Sequence, residues 1–135
     1  MSLGSTFQAD ISPEPGEGSL LFRGYEDDCF IIGEGRYHSG LRFHKRKLIE
    51  PWGPERLGAL TIEDISWAIE NPPEILLIGT GRTTAFPDPA ILDALADAHI
   101  GFECMDSRAA ARTYNILIAE GRDVSAAMLL PNAGN

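Results

Sequence analysis

From Thr61 to Pro131 the apolar residues switch between the helical and the strand period, and this alternation limits the folds open to the chain. Thr61 and Asp64 form a Thr-x-x-Asp helix start. Ile62, Ile65 and Ile69 follow as an inward stripe that ends at Asn71-Pro72-Pro73, where proline lacks a donor and crowds the preceding turn. Glu74 to Gly79 reads as a buried strand. Asp88-Pro89 opens a second helix with Ile91, Leu92 and Leu95 inward and Gly101 as its left-handed stop. Phe102 to Met105 is the next strand. Asp106 or Ser107 caps a third helix, with Ala110, Tyr114, Leu117 and Ile118 on its apolar face and Gly121 closing it. Val124 to Leu130 is the last strand, halted by Pro131. Helical crossovers between successive strands require parallel pairing in one sheet.

The first half has a different texture. Residues 1–18, with the stretch "DISPEPGEG", form a Pro-, Gly- and acid-rich lead-in. Ser19 to Trp52 is strand-like: "SLLFRGY" gives one strand, "CFIIGEGRYHSGLRF" two strands around Gly33-Glu34-Gly35, and Leu48-Ile49 a short one after the basic turn Lys45-Arg46-Lys47. The expected fold is a three-layer single α/β domain over residues 19–131, with a central mixed sheet. Parallel βαβ units make up its C-terminal half and antiparallel strands its β-rich N-terminal half. Residues 132–135 are expected to fray.

Charge narrows the partners. With 20 acidic against 11 basic residues the net charge is −9, which argues against nucleic acid or an anionic membrane face, since both need clustered positive charge. No apolar run nears the roughly 18 residues a bilayer span needs, and no basic n-region precedes an apolar core. Asp10, Glu14 and Glu17 depart from the acid-poor composition of a transit peptide, so the expected location is cytoplasmic. Cys29 and Cys104 form no CxxC pair and read as small, reduced core residues.

The run "SRAAARTYNILIAEGRDVSAAMLLP", Ser107 to Pro131, carries a resemblance. With "GTGR" at Gly79–Arg82 and "YHSG" through "EPW" between Tyr37 and Trp52, it resembles a family of uncharacterised bacterial and archaeal proteins. That family also includes the mitochondrial complex I assembly factor 3 and the mammalian adipogenesis-associated domain-containing protein. The resemblance implies a three-layer α/β domain with a mixed sheet. It brings no catalytic residues or cofactor. It points to a non-catalytic protein-interaction or assembly-factor-like module whose partner is another protein.

The stretch "LLIGTGRTT", Leu76 to Thr84, is the candidate binding loop. A dinucleotide site needs a third glycine and a helix that starts at once; here Thr84 takes the glycine position and Ala85-Phe86-Pro87 intervenes. A Walker loop is excluded by the missing Gly-Lys-Ser/Thr. If the strands at 74–79 and 102–105 run parallel, the Gly79–Thr84 loop and the Ser107 helix start emerge together, where ligands sit in open α/β sheets. An anion site would then draw on Gly79, Thr80, Gly81, Arg82, Thr83, Ser107, Arg108 and Arg112. Arg108, Arg112 and Asn115 lie on one helical stripe, and Arg108 in the first turn opposes the helix dipole; an ion pair with Asp106 or another acid is the preferred explanation, ahead of the anion site.

Other constellations stay incomplete. His38 and His44 share strand parity, but no Cys or acid has diagnostic spacing to them, and no metal is assigned. Glu26-Asp27-Asp28 reads as a polar turn, His99 as a helix-end residue, and Trp52 and Trp67 as packing residues. No nucleophile elbow is present. Two function classes remain: the interaction module, which the resemblance favours, and an enzyme or small-anion binder at the Gly79–Ser107 edge.

Overall fold

The computed structural model describes residues 20–135; the lead-in expected over residues 1–18 lies outside the described residues. Phe22–Glu26 (β1), Cys29–Ile32 (β2) and Gly35–Tyr37 (β3) form a small antiparallel sheet in that order. Leu41–His44 (β4) and Lys47–Ile49 (β5) form a hairpin, followed by short 3-10 turns and the helix Ser66–Glu70 (α1). Ile75–Gly79 (β6), Pro89–Asp97 (α2), Gly101–Met105 (β7), Ser107–Ala119 (α3) and Val124–Met128 (β8) complete the chain. The larger sheet has the order β5-β4-β8-β6-β7. β6 pairs parallel with both β7 and β8, and β4 pairs antiparallel with β8, so the sheet is mixed, as the sequence predicts.

Strand parity divides the core. Leu77 of β6 and Ala126 and Met128 of β8 face a layer made by α3 and the small sheet, with Phe22, Phe30, Phe43, Tyr114 and Ile118. Leu76, Ile78 and Ala127 face the other way, onto Ile65 and Ala68 of the α1 region, Ile91 and Leu95 of α2, and Trp52. β6 and β8 are thus covered on both faces, which is why they read as nearly continuous apolar runs. The three layers are α3 with the small sheet, the five-stranded sheet, and α1 with α2.

Several local expectations change. "CFIIGEGRYHSGLRF" holds three strands rather than two, because the chain leaves the small sheet at His38-Ser39-Gly40 and enters the large one at Leu41. The helix expected from Thr61 is a 3-10 turn, Ile62–Ile65, running into α1; the change of period turns Ile62 outward while Ile65 stays buried. Asp64 accepts the Thr61 N–H at 2.8 Å, and its backbone carbonyl accepts from both indoles, Trp52 Nε1 at 2.7 Å and Trp67 Nε1 at 2.6 Å. The left-handed stop of α2 is His99, with φ 61°, and Gly101 instead begins β7. In the basic turn Lys45 and Arg46 both have positive φ, 52° and 65°, which matches the twist of a two-residue hairpin between β4 and β5.

His38 and His44 do not share a site: His38 follows β3, whereas His44 ends β4 in the other sheet. His44 Nδ1 lies 2.8 Å from Ser125 Oγ, and its ring packs edge-on to Trp67, over which Arg42 also stacks. Burial first, then Lys45 and Arg42, push the His44 pKa below its ordinary 6.5, against Asp123 and the Asn71 backbone. The unfolded chain therefore takes the proton more readily than the folded one. Stability from this group is present above pH 6.5 and is lost as the pH falls below that value toward the lower pKa of the folded state. In urea melts from pH 7.5 to 5.5, wild type is expected to lose more stability than His44→Gln; parallel profiles would remove His44 as the source.

Candidate functional site

The C-terminal ends of β7, β6 and β8 lie side by side, with Gly79 registered against Met105 and Met128. The loop after β6 and the start of α3 emerge together at this edge, as parallel pairing demands. Ser107 holds them together. Its buried hydroxyl accepts the Gly81 N–H at 2.9 Å and donates to the Leu129 carbonyl at 2.6 Å, while its own N–H donates to the Gly81 carbonyl at 2.9 Å. Asp106 is the helix cap, accepting from Ala109 N at 3.0 Å, so Ser107 is the brace rather than the cap. Gly79 has no room for a side chain: a Cβ there would stand 2.9 Å from Met128 Sδ and 3.0 Å from Ser107 Oγ.

The donors at this edge are engaged within the chain. Thr80 N–H donates to the Met105 carbonyl at 2.8 Å, and Arg82 N–H to the Ala133 carbonyl at 2.9 Å. The Thr80 hydroxyl donates to the Thr83 carbonyl at 2.6 Å. Gly81 takes φ 101°, and a Cβ on it would run into the Ala133 carbonyl oxygen.

Residues 132–135, expected to fray, are a strap. Asn132 N–H donates to Asp27, and the carbonyls of Gly134 and Asn135 accept from Leu57 and Gly58. Beside the strap lies a cleft of about 480 Å³, lined by His38, Ser39, the Pro51–Glu55 loop and residues of the strap.

The arginine stripe on α3 has a structural occupation. Arg108 pairs with Asp27 at 2.7 Å and donates to the Pro131 carbonyl at 3.2 Å. Arg112 donates to the Tyr25 hydroxyl. Asn115 accepts from Phe22 N–H at 3.0 Å and donates to its carbonyl at 2.8 Å, completing the backbone bonding of β1. Together they stitch α3 to the small sheet. The acid facing Arg108 comes from the Glu26-Asp27-Asp28 turn.

Arg82 has a different setting. Its side chain is exposed, and no acid among the described residues forms an ion pair with it. Thr83 and Thr84 are exposed beside it, and Phe86 closes the loop with 69% of its surface bare.

Neither cysteine adjoins this edge as a nucleophile. Burial, with Glu103 beside it, pushes the Cys104 thiol up to about 11, leaving almost no thiolate at neutral pH. Cys29 is buried at the start of β2. One cluster escaped the sequence reading: Asp28, Cys29 and His38 offer ligand atoms within 4.8 Å of one another, brought together by the β2–β3 hairpin. No spacing rule signals it, because the hairpin register sets the distance.

The fold and this strand-end edge define a small mixed α/β domain of a kind already solved. A Bordetella pertussis structure described as a Mth938-like domain superposes with a TM-score of 0.74 at 27% identity, covering 92% of this chain and 94% of that one. The family model described as "Protein of unknown function (DUF498/DUF598)" matches residues 22–129, and the chain belongs to that family. An uncharacterized Rhodobacter capsulatus protein is 34% identical over 123 residues, 89% of this chain and 94% of its own length. Bovine NADH dehydrogenase (ubiquinone) 1 alpha subcomplex assembly factor 3 is 29% identical over 118 residues, 86% of this chain; the match spans 64% of the bovine protein. A Francisella tularensis protein named "13 kDa major membrane protein" is 28% identical over 116 residues, 85% of this chain and 94% of its own. Among the described residues, no helix is long and apolar enough to cross a membrane.

Proposed function

We propose that the chain is an assembly-factor-like docking module that binds another protein through the Arg82–Phe86 loop. The observation that carries this is the bare Phe86 ring on the same short loop as the exposed Arg82 guanidinium, with which no acid among the described residues forms an ion pair. A partner segment with an apolar residue against the ring and a carboxylate against the cation fits that pair. The loop is held at both ends, by the Thr80 and Arg82 amides and by the buried Pro87, so binding costs little ordering. Relatedness to the bovine assembly factor supports a protein partner. The anion-pocket alternative uses the same edge, but the Thr80, Gly81, Arg82 and Ser107 amides it needs already have acceptors. The reading places the docking in the cytoplasm, which fractionation of the native cells checks.

Pull-down from extract of the cells that make the protein, followed by mass spectrometry, is the test. Wild type is expected to retain a specific protein that Phe86→Ser and Arg82→Glu each lose, by about tenfold or more for the aromatic change. Both variants should melt within about 2 °C of wild type, since the side chains are exposed. An interactome unchanged by either substitution refutes the docking reading. Saturable phosphate binding weakened by Arg82→Ala and Arg108→Ala would instead favour the anion alternative.

A further inference from the structure

The Asp28–Cys29–His38 cluster lies apart from the docking loop, on the small sheet. Its three side chains offer a carboxylate oxygen, a sulfur and an imidazole nitrogen, all within 4.8 Å of one another. Glu26 Oε1 lies 3.8 Å from Cys29 Sγ, so a second carboxylate adjoins the thiol. A tetrahedral site around zinc has ligand atoms separated by roughly 3.3–3.8 Å, given metal–ligand bonds of about 2.0–2.3 Å. His38 Nδ1 and Asp28 Oδ2 are already 3.8 Å apart. Both side chains are well exposed, 61% and 69%, so closing the remaining ångström about the fixed sulfur requires only surface rotamer changes.

The cluster now holds a cation of another kind. Arg36 Nη1 lies 2.9 Å from Glu26 Oε1 and 3.7 Å from Cys29 Sγ. Two acids, a thiol and an imidazole therefore converge where positive charge is favoured, and the guanidinium supplying it is half exposed and able to swing away.

We infer that Asp28, Cys29 and His38 form a binding site for a zinc-class divalent metal, with Glu26 as the adjoining fourth donor and Arg36 as the cation the metal displaces. The donor set selects this class: thiolate and imidazole suit zinc and cobalt, and exclude the all-oxygen preference of calcium and magnesium. Binding converts the Cys29 thiol to thiolate and releases its proton to solvent, so affinity rises with pH. His38 also lines the 480 Å³ cleft, which places the metal beside a solvent-accessible recess. The site is independent of the docking reading, and either stands if the other fails.

Titration of the full, reduced chain with Co2+ alone, and with Zn2+ in competition, is the test. Bound Co2+ is expected to show a thiolate-to-cobalt charge-transfer band that Zn2+ abolishes. Cys29→Ser should remove the band, and His38→Ala should weaken binding by about tenfold or more. Arg36→Gln should tighten it by about tenfold, because the competing cation is gone. This last variant separates a metal site from a purely structural ion pair, and with the surface variant His38→Ala it keeps the test meaningful if Cys29→Ser fails to fold. Absence of the charge-transfer band in wild type, or Arg36→Gln binding no tighter than wild type, overturns the inference.

Discussion

Ser107→Ala is expected to cost about 2–4 kcal/mol of folding stability and to lower the melting temperature by roughly 10 °C or more. The side chain is small, so lost packing is a minor part. The cost comes from what the hydroxyl leaves behind. The Gly81 N–H loses its acceptor and the Leu129 carbonyl loses its donor, both beside a fully buried residue. An unmatched buried polar group costs about 1–3 kcal/mol each. Arg108→Gln is the contrast. It removes an ion pair whose acid, Asp27, is 83% exposed, and such pairs contribute less than about 1 kcal/mol. The larger charge change thus has the smaller effect. Hydrogen exchange should show the Gly81 amide opening earlier in Ser107→Ala. Melting within about 2 °C of wild type would mean that water replaces the hydroxyl and that Ser107 is not the brace.

That contrast shows what the sequence could and could not reveal. Parallel pairing of β6 with its neighbours was readable because helix caps and proline stops punctuate the chain: Asp88 accepts from Ala90 N–H at 2.9 Å, as its position before Pro89 foretells. The convergence of the Gly79 loop with Ser107 follows from that pairing. What the convergence does is set by groups distant in sequence. The Ser107 hydroxyl reads as a cap from its neighbours and becomes a brace only because Gly81 and Leu129 arrive on either side. Arg108 looks like a cation set against a helix dipole until the turn after β1 brings Asp27 to it. The strap at 132–135 offers backbone atoms rather than distinctive side chains, so composition alone reads it as a loose end. Ile62 misleads for a different reason: its stripe assumes the α period, and the segment winds as a 3-10 turn. The Asp28–Cys29–His38 cluster is hidden by hairpin register, since nothing local says that His38 returns beside Asp28.

Tyr114→Ala carries the largest expected loss, about 3–5 kcal/mol. The ring sits where α3, the small sheet and the large sheet meet. It stacks on Phe43 with centroids 4.7 Å apart and meets Phe22 edge-on at 5.7 Å. Phe22 in turn packs edge-on against Phe30 and Phe43, both at 5.3 Å, so one residue from a helix locks rings from both sheets. Removing it leaves a cavity among side chains anchored on three separate backbones, and collapse of one element cannot fill it. Tyr114→Phe isolates the ring from the hydroxyl. Burial pushes the phenol pKa well above its ordinary value, so the group is neutral at any working pH. Tyr114→Phe is therefore expected to stay within about 1 kcal/mol of wild type. Chemical denaturation of both variants checks the pair. A Tyr114→Phe loss approaching that of Tyr114→Ala would show that the hydroxyl, rather than the stacked ring, joins the layers.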